Sequence, residues 1–320
     1  MITITEPCLT VLMPVYNGAG FFLRESIESI LAQNFHAFEL IVINDGSTDG
    51  SGDIIREYAE IDPRVRIIEL PCNCGIVAAL NKGLQEARTG LIARMDCGDY
   101  SFPDRIGLQY GFLLSHPEHV LVGTQVAWTD EHDVILRETS FPEDDTSIRL
   151  SLYAMDNVLL HPTVMFRRLP EISYRERSCA EDYDLWLRLS LHGKLHIIDK
   201  PLLKVRFNAH GTTYSRKIMQ IRTVATIHAE FRKYILDGDS GQDYAVPVLG
   251  RLDLIQQELF RHCTARALSC SRTKPMLYAL FKLLSVACCP SYMLFLITSA
   301  LRKLTMKHDA VCRKYLQYGR

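Results

Sequence analysis

The aspartates of this chain fall where chemistry can happen. Asp96-Cys-Gly-Asp99 closes an apolar run, Leu91-Ile-Ala-Arg-Met95. Two carboxylates three residues apart at a strand end can converge on one Mg²⁺ or Mn²⁺, ions that take hard oxygen ligands and bridge substrate phosphates. Such a cation offsets the charge that builds on a departing diphosphate. Turn capping is the plain alternative for a D-x-x-D pair. Asp45 stands in Asn44-Asp-Gly-Ser-Thr-Asp49, where turn chemistry, with Ser47 or Thr48 capping the next helix, is the alternative to ligand binding. Glu181-Asp182 opens an amphipathic run, where acids also suit the helix dipole. His161 and His210 lie near apolar or glycine-rich loops, and each alone reads as structural.

The elements that must carry these residues alternate. Leu9–Val15, Phe38–Ile43, Val65–Leu70 and Leu91–Met95 read as strands. Between them lie helical patterns: Leu23, Ile27, Ile30 and Leu31, then Ile54, Ile55, Tyr58 and Ile61, then Gly75 to Ala87. Strand–helix repeats imply right-handed crossovers and a parallel sheet, and continuous apolar runs fit strands buried on both faces. Ligands in such sheets bind beyond the carboxyl ends of the strands. Pro14, Tyr16 and Asn17, then Asp45, then Asp96 and Asp99 all fall there. Residues 103–210 are mixed. Helices are expected over 104–114 and 182–191, and strands over 120–128, 134–138, 163–166, 195–198 and 202–205, all extending the first sheet. The stretches 70–75, 98–103 and 140–160 read as specificity loops.

The chain has 320 residues, 48% apolar and 23% charged, with a formal net charge of −1. That excludes a disordered chain and a nucleic-acid polycation. The balance hides an asymmetry, because residues 251–320 carry a net +9 and residues 1–250 a net −10. The division implied is a catalytic domain over 1–213 and a basic, helical region over 214–320. Within the latter, 283–301 is uncharged but interrupted by Pro290. A buried helical hairpin, a helix lying in the membrane interface and a true span all remain open for it. No P-loop, G-x-G-x-x-G or H-E-x-x-H motif occurs. The ten cysteines are irregularly spaced, and Cys72 and Cys74 form C-x-C rather than a C-x-x-C redox or zinc motif. With an N-terminus lacking a signal core, a reduced cytoplasmic protein is expected, its cysteines mostly small core residues.

Read together, these pieces resemble family 2 of the glycosyltransferases, inverting enzymes with the GT-A fold, over about residues 9–210. The resemblance is carried by Val11-Leu-Met-Pro-Val-Tyr-Asn17, Ile43-Asn-Asp-Gly-Ser-Thr-Asp49, Asn73–Gly83 and Ile92-Ala-Arg-Met-Asp96. Pro103-Asp-Arg105, His161-Pro-Thr-Val-Met-Phe166 and Glu181-Asp-Tyr-Asp-Leu-Trp-Leu-Arg188 complete it. It implies an α/β fold, a mostly parallel sheet flanked by helices. It implies a nucleotide-diphosphate sugar donor (a UDP-sugar is favoured) and a Mn²⁺ or Mg²⁺ cofactor. The positions matching nucleotide-sugar-binding residues are Pro14, Tyr16, Asn17, Asp45, Asn81, Arg94, Asp96 and Arg206. Those matching metal ligands are Asp96, Asp99 and His210, and Asp182 matches the general base. The acceptor implied is a growing glycan in surface polysaccharide synthesis, lipid-linked if the basic tail meets an anionic membrane surface, with the protein peripheral at its cytoplasmic face.

Two departures stand out. The usual R-x-H spacing is here Arg206-Phe-Asn-Ala-His210, two residues longer. The second acid of the usual D-x-D is Gly98. Losing one carboxylate predicts weaker metal affinity, with Asp99 rotating in and Gly98→Asp restoring the site. The alternative is a catalytically impaired homologue that binds sugar nucleotides.

Overall fold

The computed structural model describes residues 6–130, 132–206 and 217–237. The chain divides into two units, 1–229 and 230–320, and the fold described is that of the first. The junction expected at 213/214 lies outside the described residues, as do segment 283–301 and His210.

The strands β1 (Leu9–Val15), β2 (Phe38–Asn44), β3 (Val65–Glu69) and β4 (Leu91–Arg94) form the parallel half of one sheet, with α1 (Leu23–Leu31), α2 (Ser51–Ile61) and α3 (Ile76–Glu86) as crossovers. All seven residues of β2, and all of β1 but Pro14, are buried. This is why they read as continuous apolar runs. The chain runs from β1 outward to β3 and returns on the other side of β1 as β4. The crevice between β1 and β4 is therefore the switch point, where a ligand is expected.

The second half extends the same sheet, as the sequence predicts. Its elements are β5 (Tyr100–Ser101), α4 (Arg105–Ser115), β6 (His119–Thr129), β7 (Ile135–Glu138), α5 (Asp145–Tyr153), β8 (Met165–Arg167), α6 (Glu181–Leu189) and β9 (Lys194–Arg206). The strand order is β3-β2-β1-β4-β8-β6-β9-β5, with β7 also on β6. Short β8 is antiparallel to both β4 and β6, whereas β6 and β9 pair in parallel along most of their length.

Several details differ from the sequence expectation: β5 lies inside stretch 98–103, and the strand expected over 163–166 begins only at Met165, after a 3-10 turn over His161–Thr163. The extended pieces 195–198 and 202–205 are one strand, in which the register shifts around Gln125 and Pro201, a place where a proline's missing N–H is tolerated. Stretch 140–160 is not all loop. Asp144 caps α5 by accepting from Ser147 N–H at 3.0 Å. Helix α7 (Lys217–Asp237) is the last described element. Among the described residues no helix is long and apolar enough to cross a membrane.

Candidate active site

The loops leaving β1, β2 and β3 are knitted into one rim. Asn17, held at φ 50°, donates its N–H to Ser47 Oγ at 3.0 Å and accepts from Thr48 N–H at 2.8 Å. Gly18 N–H donates to Ser51 Oγ, and Ala19 N–H to Asp49 Oδ2. Ser47 and Thr48 thus bind the β1 loop rather than cap α2, whose N-cap is Gly50. Asp45 is 4% exposed. Its carboxylate accepts from Cys74 N–H at 2.7 Å and Gly75 N–H at 3.0 Å. Beside it Gly46 (φ 64°) is covered so tightly that a Cβ would stand 2.3 Å from the Cys72 carbonyl carbon. Only glycine fits that contact. Tyr16 is exposed beside this rim and Pro14 half-buried beneath it.

At the end of β4, Arg94 is 1% exposed and Asp96 is accessible. Arg94 Nη2 lies 2.5 Å from Asp96 Oδ1, and Arg94 Nη1 donates to the Met95 carbonyl. Asp99 is buried. Burial, with Asp96 nearby, pushes its carboxyl well above the ordinary range, against the pull of Arg94, Arg105 and Arg206. Gly98 sits at φ 100°, its N–H on Ser26 Oγ, and a Cβ there would meet Phe21 Cε1 at 2.4 Å. Ser26 Oγ also donates to the Asp99 carbonyl at 2.8 Å. Asp99 is therefore not poised to replace the missing acid, and the place of a side chain at 98 is filled by Phe21. Among the described residues no three metal-ligating side chains converge. Asp96 is the accessible carboxylate here that could hold a cation, and a cation on one carboxylate would need further oxygens from substrate or water.

Across the site, Asp182 lies in the first turn of α6. Asn157 Nδ2 donates to its Oδ2 at 2.9 Å, and Tyr183 N–H to its Oδ1. Burial, then the neighbouring Glu181, raise the Asp182 carboxyl to about 7, against these hydrogen bonds. Beside it, Asn81 and the Tyr174 backbone exchange two hydrogen bonds of 2.9 Å. The Tyr174 hydroxyl is 2.8 Å from His161 Nε2. Burial, with Arg94 close by, keeps His161 well below its ordinary pKa and so neutral.

Arg206, at the end of β9, is 3% exposed. It donates to Glu25 Oε2 at 2.6 Å, to both Asp133 oxygens and to the Gly98 carbonyl at 2.9 Å. Its guanidinium lies 3.9 Å from the Phe22 ring centre. The structure thus gives it to the Gly98 loop. The sequence reading missed Asn157, Tyr174, Phe21, Glu25 and Asp133, which no local pattern marks. It also placed the cysteines mostly in the core. Among the described ones only Cys179 is buried, while Cys8, Cys72 and Cys74 are exposed, because loop thiols carry no periodicity to reveal their burial.

The fold is of the GT-A class. The fold matches S. aureus TarS residues 1–349 solved with UDP-GlcNAc (TM-score 0.58, 20% identity, 86% of this chain and 90% of that one). It also matches the mannosyltransferase PcManGT from Pyrobaculum calidifontis, solved with GDP-Man and Mn²⁺ (TM-score 0.56, 17% identity, 93% and 81%). Residues 10–180 match the model of glycosyl transferase family 2, and the chain belongs to that family. It is a glycosyltransferase with a nucleotide-sugar donor. The O-antigen biosynthesis glycosyltransferase WbnJ of Escherichia coli is 34% identical over 185 residues, 57% of this chain and 71% of WbnJ.

Proposed function

We propose that the protein is an inverting transferase that moves a sugar from a nucleotide-diphosphate donor, UDP-linked by preference, to a hydroxyl of a growing surface glycan. The observation that carries this is Asp182, an enclosed carboxyl raised to about 7. A group of that pKa can accept a proton near neutral pH, an effect typically worth ~10²–10⁴-fold in rate. The acceptor hydroxyl attacks the anomeric carbon in line with the departing diphosphate, and Asp182 takes its proton. Asp45 and the Tyr16–Asn17 rim hold the nucleoside. Asp96, paired with Arg94, would hold Mn²⁺ or Mg²⁺, which when bound would stabilise charge on the diphosphate. The loop of Gly98 and Asp99 is held in register by Ser26 and Arg206.

Residues 1–213 are the catalytic part in this reading. The basic region 214–320 draws the enzyme to an anionic membrane surface, each cation near it adding about 1 kcal/mol, where a lipid-linked acceptor would be met. O-antigen synthesis by the similar WbnJ supports a glycan acceptor. The test is release of nucleoside diphosphate from UDP-, GDP- and dTDP-sugars with Mn²⁺, Mg²⁺ or EDTA. Cation-stimulated release from one donor is expected. Release of pyrophosphate, or donor binding without turnover when glycan acceptor is added, would overturn the reading. Flotation with anionic liposomes tests the membrane assignment, and a chain left at the bottom removes it.

A further inference from the structure

Cys72 and Cys74 lie outside the chemistry described so far, yet they sit on the loop that Asp45 holds. Both are exposed. Their Sγ atoms are 3.7 Å apart, and Cys74 Sγ also lies 3.3 Å from the Cys72 carbonyl oxygen. The C-x-C spacing carried no redox motif, but the fold brings the two thiols into contact. We propose that Cys72 and Cys74 form a reversible disulfide whose closure loosens the nucleoside subsite at Asp45.

The geometry says where the loop must yield. A disulfide needs about 2.05 Å between sulfurs, so the pair must close by about 1.7 Å. One intervening residue makes a short ring, whose closure to disulfide geometry constrains the 72–74 backbone together with the side chains. The loop cannot move toward the Asp45 turn, because the Cys72 backbone already presses on Gly46, with no room even for a Cβ. The remaining freedom is at the Cys74 and Gly75 amides, the two groups that fix the Asp45 carboxylate. Redirecting either one turns that carboxylate away from its present position. This inference rests on the reading of Asp45 as the nucleoside contact.

The step balances with a low-molecular-weight disulfide as oxidant. One cysteine thiolate attacks it, releases a small thiol and leaves a mixed disulfide. The second cysteine, already in contact, attacks the protein-side sulfur, forms the Cys72–Cys74 bond and releases the second small thiol. The two cysteine protons end on the two released thiols, and two electrons pass from protein to oxidant. The Cys72 thiol beside it, more than the Asp45 charge, holds the Cys74 thiol above its ordinary range, so Cys74 becomes a more available nucleophile as pH rises.

The experiment treats the full chain with glutathione disulfide and maps the acid-quenched peptides by mass. Binding of UDP, GDP and dTDP is measured before oxidation, after it, and after dithiothreitol. A peptide carrying Cys72 and Cys74 should lose two hydrogens. Affinity for the preferred nucleotide should fall about tenfold, the scale of one hydrogen bond to a charged group, and recover on reduction. Cys72→Ser should bind normally and no longer respond. Absence of the mapped bond, or its presence with affinity within about twofold, overturns the proposal. Asp45→Asn, measured reduced, separates the two layers. If it binds nucleotide normally, the reading of Asp45 fails and the switch loses its target, whatever bond the map records.

Discussion

Asn157 Nδ2 meets Asp182 Oδ2 at 2.9 Å, linking the loop after α5 to the first turn of α6. This bond favours the ionised carboxylate, while burial and Glu181 favour the neutral acid and leave it at about 7. Because the base works unprotonated, kcat/KM should fall as pH drops through about 7. Asn157→Ala should move that acid limb to higher pH, and Glu181→Gln to lower pH. Glu181 and Asp182 titrate as a pair, so the directions are the test. Shifts of the same sign in both variants would remove this account of the site.

The same shift acts on stability. An unfolded aspartate ionises near 3.8 and the folded Asp182 near 7. Between those values the folded state holds the extra proton, so stability declines as pH rises across the window. Asp182→Asn is therefore expected to raise Tm at pH 8 while cutting transfer by ~10²-fold or more. Thermal melts of both forms at pH 5 and pH 8 check the sign, and an Asp182→Asn variant that melts below wild type at pH 8 would contradict it.

Gly98→Asp is expected to harm rather than repair. A side chain at φ 100° is strained, by about 1–3 kcal/mol, and its Cβ would overlap Phe21 at 2.4 Å. Tm should fall, with no gain in Mn²⁺ affinity by titration. Adding Phe21→Ala removes the overlap but not the strained φ, so part of the lost Tm should return. Tighter Mn²⁺ binding in the single variant would show that the loop re-forms around the new acid.

Strands β1, β2 and β4 were legible because burial writes continuous apolar runs into local sequence, the mostly half-buried edge strand β3 from Val65, Ile67 and Ile68, and the acids at the strand ends by position. What was hidden depends on partners far along the chain. Arg206 reaches Gly98 across 108 residues and Asn81 reaches Tyr174 across 93, and no window of sequence contains both ends. Gly98 looked like a lost ligand because its residue type was visible. Its positive φ and the Phe21 ring were not. The exposed Cys72–Cys74 pair was hidden for the same reason, since the loop's position depends on Asp45 and Gly46 rather than on its own composition.

Arg206 organises three segments at once: Glu25 on α1, Asp133 in the β6–β7 turn and the Gly98 carbonyl. Arg206→Ala leaves the Gly98 carbonyl unbonded and leaves Glu25 and Asp133 to Lys204 alone, at 3.4 and 2.9 Å. Breaking a fully buried pair costs about 3–5 kcal/mol, and a smaller loss is expected because Glu25 and Asp133 are 33% and 44% exposed and keep Lys204. Arg206→Lys keeps the charge but loses the fork, so it should recover only part of the loss. Urea denaturation measures both. An Ala variant of native stability with lost donor affinity would instead move Arg206 onto the diphosphate.

Asn81 offers the sharpest division between holding the fold and holding the donor. Both polar atoms of its side chain are spent on the Tyr174 backbone, and Tyr174 in turn meets neutral His161. Asn81→Ala leaves a backbone N–H and a carbonyl without partners, a cost of about 1–3 kcal/mol where they stay buried. Amide exchange should then quicken across residues 172–180, while nucleotide affinity changes little. Asn81→Asp keeps the acceptor for Tyr174 N–H but not the donor for its carbonyl, so its exchange should fall between wild type and Ala. Unchanged exchange in the Ala variant, with nucleotide binding lost, would return Asn81 to the donor site that its sequence position suggested.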